Sequence, residues 1–312
     1  MSAFVLRDPE GPPAVAAAAA AARNRSRLEL FMAAVLFGLV AVLTRRAALG
    51  GFGAGQLATL RFSVGALASV AYFAARKGSF VGARRMPLVV RGLAGGVAVV
   101  LYFVSLALIP AGEATLLNNL YPVLTTVLAI FTLGERPTIH LAGALALTTV
   151  GVVLVLGGDG LHMGFGWGEL AGLLSSLFGA VAVAAIRAAR LPGGDRPAAN
   201  TVTVFFALTM GGLIVAWPFA LQAWPTSGPL WGLALGAAFA SLGAQLLMTH
   251  ALGFLAIPEA SIWQQLAPVM SFLWGAVLLA EPVSGATMAG VATAGLGVVY
   301  GAVLGRRSKQ SL

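Results

Sequence analysis

Long apolar runs separated by short polar breaks fill the chain from residue 28 onward. A helix needs about 20 mostly apolar residues to cross the ~30 Å hydrocarbon core of a bilayer. Ten segments reach that length: 28–49, 56–75, 87–108, 111–133 and 140–156, then 168–189, 201–221, 230–254, 257–280 and 284–304. The ten-residue alternation of a membrane barrel is missing. The expected fold is therefore all-α and integral to the membrane: ten transmembrane helices on short loops, with no room for a separate soluble domain.

Composition points the same way. Hydrophobic residues make up 59% of the 312 and charged residues 9%, against roughly 25% charged in a soluble domain. Mean hydropathy is +0.93. So few charges cannot cover a water-exposed surface, and the lipid bilayer becomes the main partner. Cysteine is absent, which excludes disulfides and thiolate metal sites.

The formal charge of +9 fits either a patch for polyanions or topology signals beside membrane spans. Ten spans put both termini on one side, and all but three of the 19 Lys and Arg residues then share it. The exceptions are Arg45 and Arg46 at the end of the first span and Arg61 inside the second; Arg91 counts with the inner charges. This is the positive-inside pattern, so both termini are expected in the cytoplasm and no nucleic acid is needed as a partner. Trp167, Trp217, Trp224 and Trp231 then fall near the outer interface. Residues 1–27 read as a loosely ordered cytoplasmic tail, because Arg23, Arg25 and Arg27 follow the short apolar run 14–22 where a signal peptide would be cleaved. Residues 306–312 form the second tail.

Shifted by 146 residues, Glu113-Ala-Thr-Leu-Leu-Asn-Asn-Leu-Tyr-Pro-Val123 falls on Glu259-Ala-Ser-Ile-Trp-Gln-Gln-Leu-Ala-Pro-Val269. The same shift pairs Glu135 with Glu281 and Gly151 with Gly297, and a shift of 141 lays Leu36-Phe-Gly38 on Leu177-Phe-Gly179 and Arg46 on Arg187. The chain reads as a duplication, 28–157 and 158–305. Five spans per half is an odd number, so the second half enters the membrane in the opposite sense. Inverted repeats of this kind build many secondary transporters, with solute sites at the repeat interface near the midplane.

Pro122 and Pro268 occupy matching places inside the fourth and ninth spans, where a proline kinks a helix; they are candidate hinges. Beside them Asn118, Asn119, Gln264 and Gln265 lie deep in hydrocarbon, where unsatisfied polar groups cost several kcal/mol. They face either a cavity or another helix. Tyr121 and Trp263 suit stacking on a planar solute or ordinary packing. Tyr102, Gln245, Thr249 and His250 are further polar candidates; His250 is a candidate for proton coupling or a structural histidine. Glu113 and Glu259 start the fourth and ninth spans, where the helix dipole favours a carboxylate; proton coupling is the functional reading. Arg61 snorkels or pairs with an acid. Glu135-Arg136-Pro137 and Glu281-Pro282 read as caps or hinges. Glycines at four-residue spacing, Gly92/Gly96, Gly168/Gly172 and Gly232/Gly236, suit close helix packing.

An enzyme reading finds little support. Gly157-Gly-Asp-Gly160 supplies one membrane aspartate where an intramembrane aspartyl protease needs two, and Asp8 and Asp195 lie in the tail and a loop. His140, His162 and His250 are scattered, so no zinc motif forms, and no P-loop or nucleophile elbow is present. No cofactor or metal is expected.

Several of these residues carry a resemblance to the drug/metabolite transporter superfamily, in its ten-span EamA branch. They are Phe37-Gly38, Arg61-Phe62, Pro122-Val123 followed by Leu133-Gly-Glu-Arg-Pro137, and Pro268-Val269 followed by Leu279-Ala-Glu-Pro282. Within that branch the chain is most similar to aromatic amino acid exporters. The resemblance implies a multi-pass exporter of small metabolites in a bacterial inner membrane, with a cavity lined by spans 3, 4, 8 and 9. That cavity maps onto Tyr102, Asn118, Asn119, Tyr121, Gln245, Trp263 and Gln264. Amides, aromatics and few fixed charges point to a zwitterion or neutral solute, such as an aromatic amino acid. Export of cationic aromatics or purines, and a receptor or scaffold that moves nothing, are the alternatives. A monomer is compatible with this reading.

Overall fold

The computed structural model describes residues 13–76, 84–109, 114, 117–135, 137–157, 166–193, 196–279 and 285–304. These residues are helical apart from turns, one 3-10 segment, Trp217–Leu221, and an isolated bridge between Gly193 and Arg196. In chain order the helices are α1 Pro13–Leu49, α2 Ala54–Arg76, α3 Arg85–Leu108, α4 Tyr121–Thr132, α5 Ile139–Gly157, α6 Trp167–Arg190, α7 Thr201–Ala216, α8 Gly228–Ala251, α9 Ile257–Gln264, α10 Leu266–Leu279 and α11 Gly285–Leu304. The stretch 13–27, expected to be loose, continues α1 instead. Alanine has the highest helix propensity, and no Gly or Pro interrupts the run after Pro13.

Among the described residues six helices are long and apolar enough to cross a membrane: Ala18–Leu49, Ala54–Ala75, Arg85–Leu108, Trp167–Arg190, Thr201–Leu221 and Gly228–Ala251. Tyr121–Thr132, Ile139–Leu154 and Met288–Gly301 are shorter apolar helices. The fourth and ninth expected spans are interrupted, not merely kinked. The chain turns at Asn119 and Leu120 before α4, and at Gln265 between α9 and α10. Both breaks have one cause. Pro122 is the second residue of α4 and Pro268 the third of α10, so each proline sits in the first turn of a new helix, where its missing N–H costs nothing.

The bundle exposes apolar side chains and buries a set of polar ones within its apolar core. Leu67, Phe131, Ile139, Ile214 and Val277 are exposed, while Gln56, Arg91, Asn119, Thr126, Gln245, Gln264, Gln265 and Arg187 are buried. That distribution suits lipid as the surrounding solvent. α3 packs along α6 and α7, α1 along α8 and α10, α2 along α7, and α5 along α11. Glycines set two of these approaches. A Cβ on Gly92 would lie 2.5 Å from the Ala207 carbonyl oxygen, and one on Gly96 would lie 2.8 Å from the Gly212 Cα, so α3 and α7 nearly touch backbones. Gly151 faces Ala294 and Gly297 faces Thr148 in the same way between α5 and α11. Gly168 and Gly172 accommodate Ile109 and Leu117. Gly232 faces open space and Gly236 only the Leu43 side chain, so the third expected glycine pair makes no close helix contact.

Candidate functional site

A cavity of about 150 Å³ lies inside the bundle, walled by α1, α2, α3, α4, α6, α7, α8 and α10. A void of that size holds roughly a benzene-sized molecule, so a larger solute requires some opening. On α3, Arg91, Gly95, Ala98 and Tyr102 all line it. Their four-three-four spacing puts them on one helix face. The opposite walls carry Arg61, Asn118, Asn119, Tyr121, Gln245, Pro268 and Ser271, with Phe37 and Phe103 adding aromatic surface.

Arg91 is 3% exposed. Its Nη2 donates to Gln245 Oε1 at 2.7 Å, while its Nε finds no hydrogen-bond partner. Gly95, one turn along, leaves room for Leu208 of α7: a Cβ there would sit 2.5 Å from Leu208 Cδ1. Arg61 faces the same cavity with its guanidinium carbon 5.9 Å from the centre of the Phe62 ring. Among the described residues no Asp or Glu lines the cavity.

Asn118 donates to Ser175 Oγ, tying the lining to α6. Asn119 Nδ2 donates to Gln265 Oε1 at 2.6 Å, and Gln265 Nε2 donates to Thr149 Oγ1 at 2.9 Å. Thr126 Oγ1 bonds the Pro122 carbonyl at 2.9 Å and Ser261 Oγ at 3.0 Å. The two helix breaks are thus bonded to each other by the side chains that the sequence places beside the prolines.

Other predicted residues lie elsewhere. Trp263 packs among apolar side chains behind the cavity. Gln264 is 4% exposed with neither amide atom hydrogen-bonded, and it does not line the cavity. Pro122 is buried next to the cavity wall without forming part of it. Glu113 lies outside the described residues, as do Glu281 and Pro282.

His250 and Glu259 belong to an ion-pair layer at the end of the bundle where α1 begins and α8 ends. His250 Nδ1 is 2.7 Å from Glu29 Oε2, and Arg25 Nε donates to Glu29 Oε1 at 3.0 Å. Arg27 Nε donates to Glu259 Oε1 at 2.7 Å. Arg187 Nε donates to Glu135 Oε1 at 2.8 Å and its Nη1 to the Leu252 carbonyl at 3.1 Å. Glu135 Oε2 accepts the Ile257 N–H at 2.7 Å, which caps the start of α9. Gly134, at φ +66°, turns the chain after α4 so that the Glu135 N–H reaches back to the Ala129 carbonyl, a left-handed helix end. The cavity extends away from this layer, along α1 to Thr44 and along α3 to Leu106.

Sequence reasoning missed Arg91. Six residues into α3, at ~1.5 Å each, its Cα lies about 9 Å from the helix start, a depth from which arginine snorkels to the surface. Helical spacing held the signal, since stepping back from Tyr102 by four, three and four residues reaches Ala98, Gly95 and Arg91.

Residues 28–157 match the EamA-like transporter family. The chain is 26% identical over 205 residues to the pseudopaline exporter CntI of Pseudomonas aeruginosa strain UCBPP-PA14, spanning 65% of this chain and 70% of that protein. The same protein of strain PAO1 aligns identically. A solved crystal structure 26% identical in sequence superposes with a TM-score of 0.74, covering 90% of this chain and 98% of that one. The chain is thus a multi-pass membrane protein whose residues 28–157 match the EamA-like transporter family and which is similar to a bacterial exporter.

Proposed function

We propose that this chain exports a small metabolite of amino-acid type across a bacterial inner membrane by alternating access. Its two halves, 28–157 and 158–305, act as inverted five-helix repeats, with the broken fourth and ninth spans as hinges. The carrying observation is the cavity, with arginines, amides and tyrosines in an otherwise apolar wall, inside a bundle that exposes apolar side chains and whose described ion pairs gather at one end.

Several contacts favour the repeat reading. A residue that touches its own counterpart lies on the axis relating two halves. Asn119 bonds Gln265 across a separation of 146, the same shift that aligns the two sequences. That shift also turns the Gly151–Ala294 contact into the Gly297–Thr148 contact. α2 packs on its counterpart α7, and α5 on its counterpart α11. The family match covers the first half alone.

With both termini in the cytoplasm, as the charge distribution favours, the ion-pair layer is the inner gate and the cavity reaches toward the outside. Tyr102, Phe103 and Tyr121 suit an aromatic or other apolar side chain, the amides suit polar backbone groups, and Arg91 suits a carboxylate. Two arginines in the wall disfavour cationic aromatics. Purified protein in liposomes, loaded with a panel including Phe, Trp and Met, is expected to release at least one of them faster than protein-free liposomes. A panel with no flux above that background contradicts the amino-acid reading.

A further inference from the structure

We propose that the cavity selects a solute carrying two separated carboxylates, an amino-acid-derived dianion, and that Arg61 and Arg91 are its two anchors. The inference rests on the export reading above and narrows its substrate class. Bare cationic groups inside a membrane protein are costly and are normally neutralised by a partner. The described carboxylates nearby are already engaged: Glu29 by Arg25 and His250, Glu135 by Arg187, and Glu259 by Arg27. None lines the cavity, and Arg91 keeps a buried Nε without a partner. A zwitterionic amino acid would leave two positive charges uncompensated, whereas a dianion neutralises both.

The spacing of the two cations sets the spacing of the carboxylates. Phe62 on α2 and Gly96 on α3 both meet Gly212 of α7, so at ~1.5 Å per residue the two arginine backbones differ in depth by about 8 Å. Both side chains reach into the same cavity, so they mark two points along its axis. The planar guanidinium fork binds a carboxylate through two parallel hydrogen bonds. Tyr102, Tyr121 and Phe103 lie in the same wall and cover the organic body of the solute.

Neither arginine belongs to the duplicated framework. At shifts between 141 and 146, Arg61 falls opposite residues 202–207 and Arg91 opposite residues 232–237, and neither window holds a charged residue. The repeat architecture does not call for these cations in both halves. Both cations stand in the first half alone, where they anchor the cargo.

A series with one aromatic body and rising negative charge tests this: phenylalanine, N-acetyl-phenylalanine and N-succinyl-phenylalanine, with O-phosphotyrosine as the phosphate arm. Binding to purified protein is measured by calorimetry, and flux in proteoliposomes. N-succinyl-phenylalanine should bind about tenfold tighter than phenylalanine or better, the scale of one charge-assisted hydrogen bond. Arg91→Gln and Arg61→Gln should each erase most of that preference. Arg91→Lys should keep part of it, which separates charge recognition from a folding defect. Equal or better binding of phenylalanine overturns the dianion assignment and leaves the export reading standing. Dianion binding without flux keeps the site and overturns export; neither binding nor flux overturns both. A preference for O-phosphotyrosine replaces carboxylate by phosphate and overturns the stated class.

Discussion

Two groups of charged side chains sit inside this bundle, and they are treated in opposite ways. At the end where α1 begins, Arg25, Arg27, Arg187 and His250 each meet a carboxylate within 3.0 Å. In the cavity, Arg61 and Arg91 face an organic-sized space without any described carboxylate. Reciprocal pairs hold helices together and can be exchanged for water when the helices part, which is what a gate requires. Arg91 bonds the neutral Gln245 amide and no described carboxylate faces either cation, so both become more favourable when cargo of opposite charge arrives. The contrast separates closure from recognition, although arginine supplies both.

Breaking the paired layer should have the largest effect on stability. Arg187 is buried and Glu135 nearly so, and removing one partner of such a pair costs roughly 3 kcal/mol or more because the other charge stays behind. Glu135→Gln should therefore lower the unfolding midpoint in detergent markedly, with Glu259→Gln, in a more exposed pair, lowering it less. On the cavity side, Asn118→Leu removes a polar wall group bonded to Ser175. Transport should fall several-fold, in line with a lost hydrogen bond of about 1 kcal/mol, while the unfolding midpoint shifts little. Asn119→Leu cuts the bond between the two helix breaks. Interhelical hydrogen bonds in membranes average about 0.6 kcal/mol, so a small loss of stability is expected, read by the same unfolding assay. Gln264→Leu belongs to neither group: its amide is buried and unbonded, so transport should hold and stability should rise slightly.

Much of this layout was legible in the chain. The apolar stretches marked the all-helical character, and the prolines marked the two breaks. Tyr102, Asn118, Asn119, Tyr121 and Gln245 were all named from their depth in apolar sequence, and all five line the cavity. The remainder depends on direction, which a single sequence encodes weakly. Asn118 and Gln264 align at the 146-residue shift, yet one lines the cavity and the other does not. Trp263 was open between stacking on a solute and ordinary packing, since a large aromatic fits either place, and it packs against the core. His250 and Glu259 were open between structural roles and proton coupling; their partners Glu29 and Arg27 lie 221 and 232 residues away and could not be paired by spacing. Arg91 looked like a topology charge because depth alone does not say which way a side chain turns.

The central claim is that the cavity is the pathway and the ion-pair layer is its closed gate. The chain contains no cysteine, so a single Ala98→Cys substitution in the cavity wall reports access without background. A membrane-impermeant maleimide should label it from the side opposite the N-terminus and not from the N-terminal side, with Glu135→Gln opening the second route. Labelling from the N-terminal side alone, or from neither side, would contradict the account.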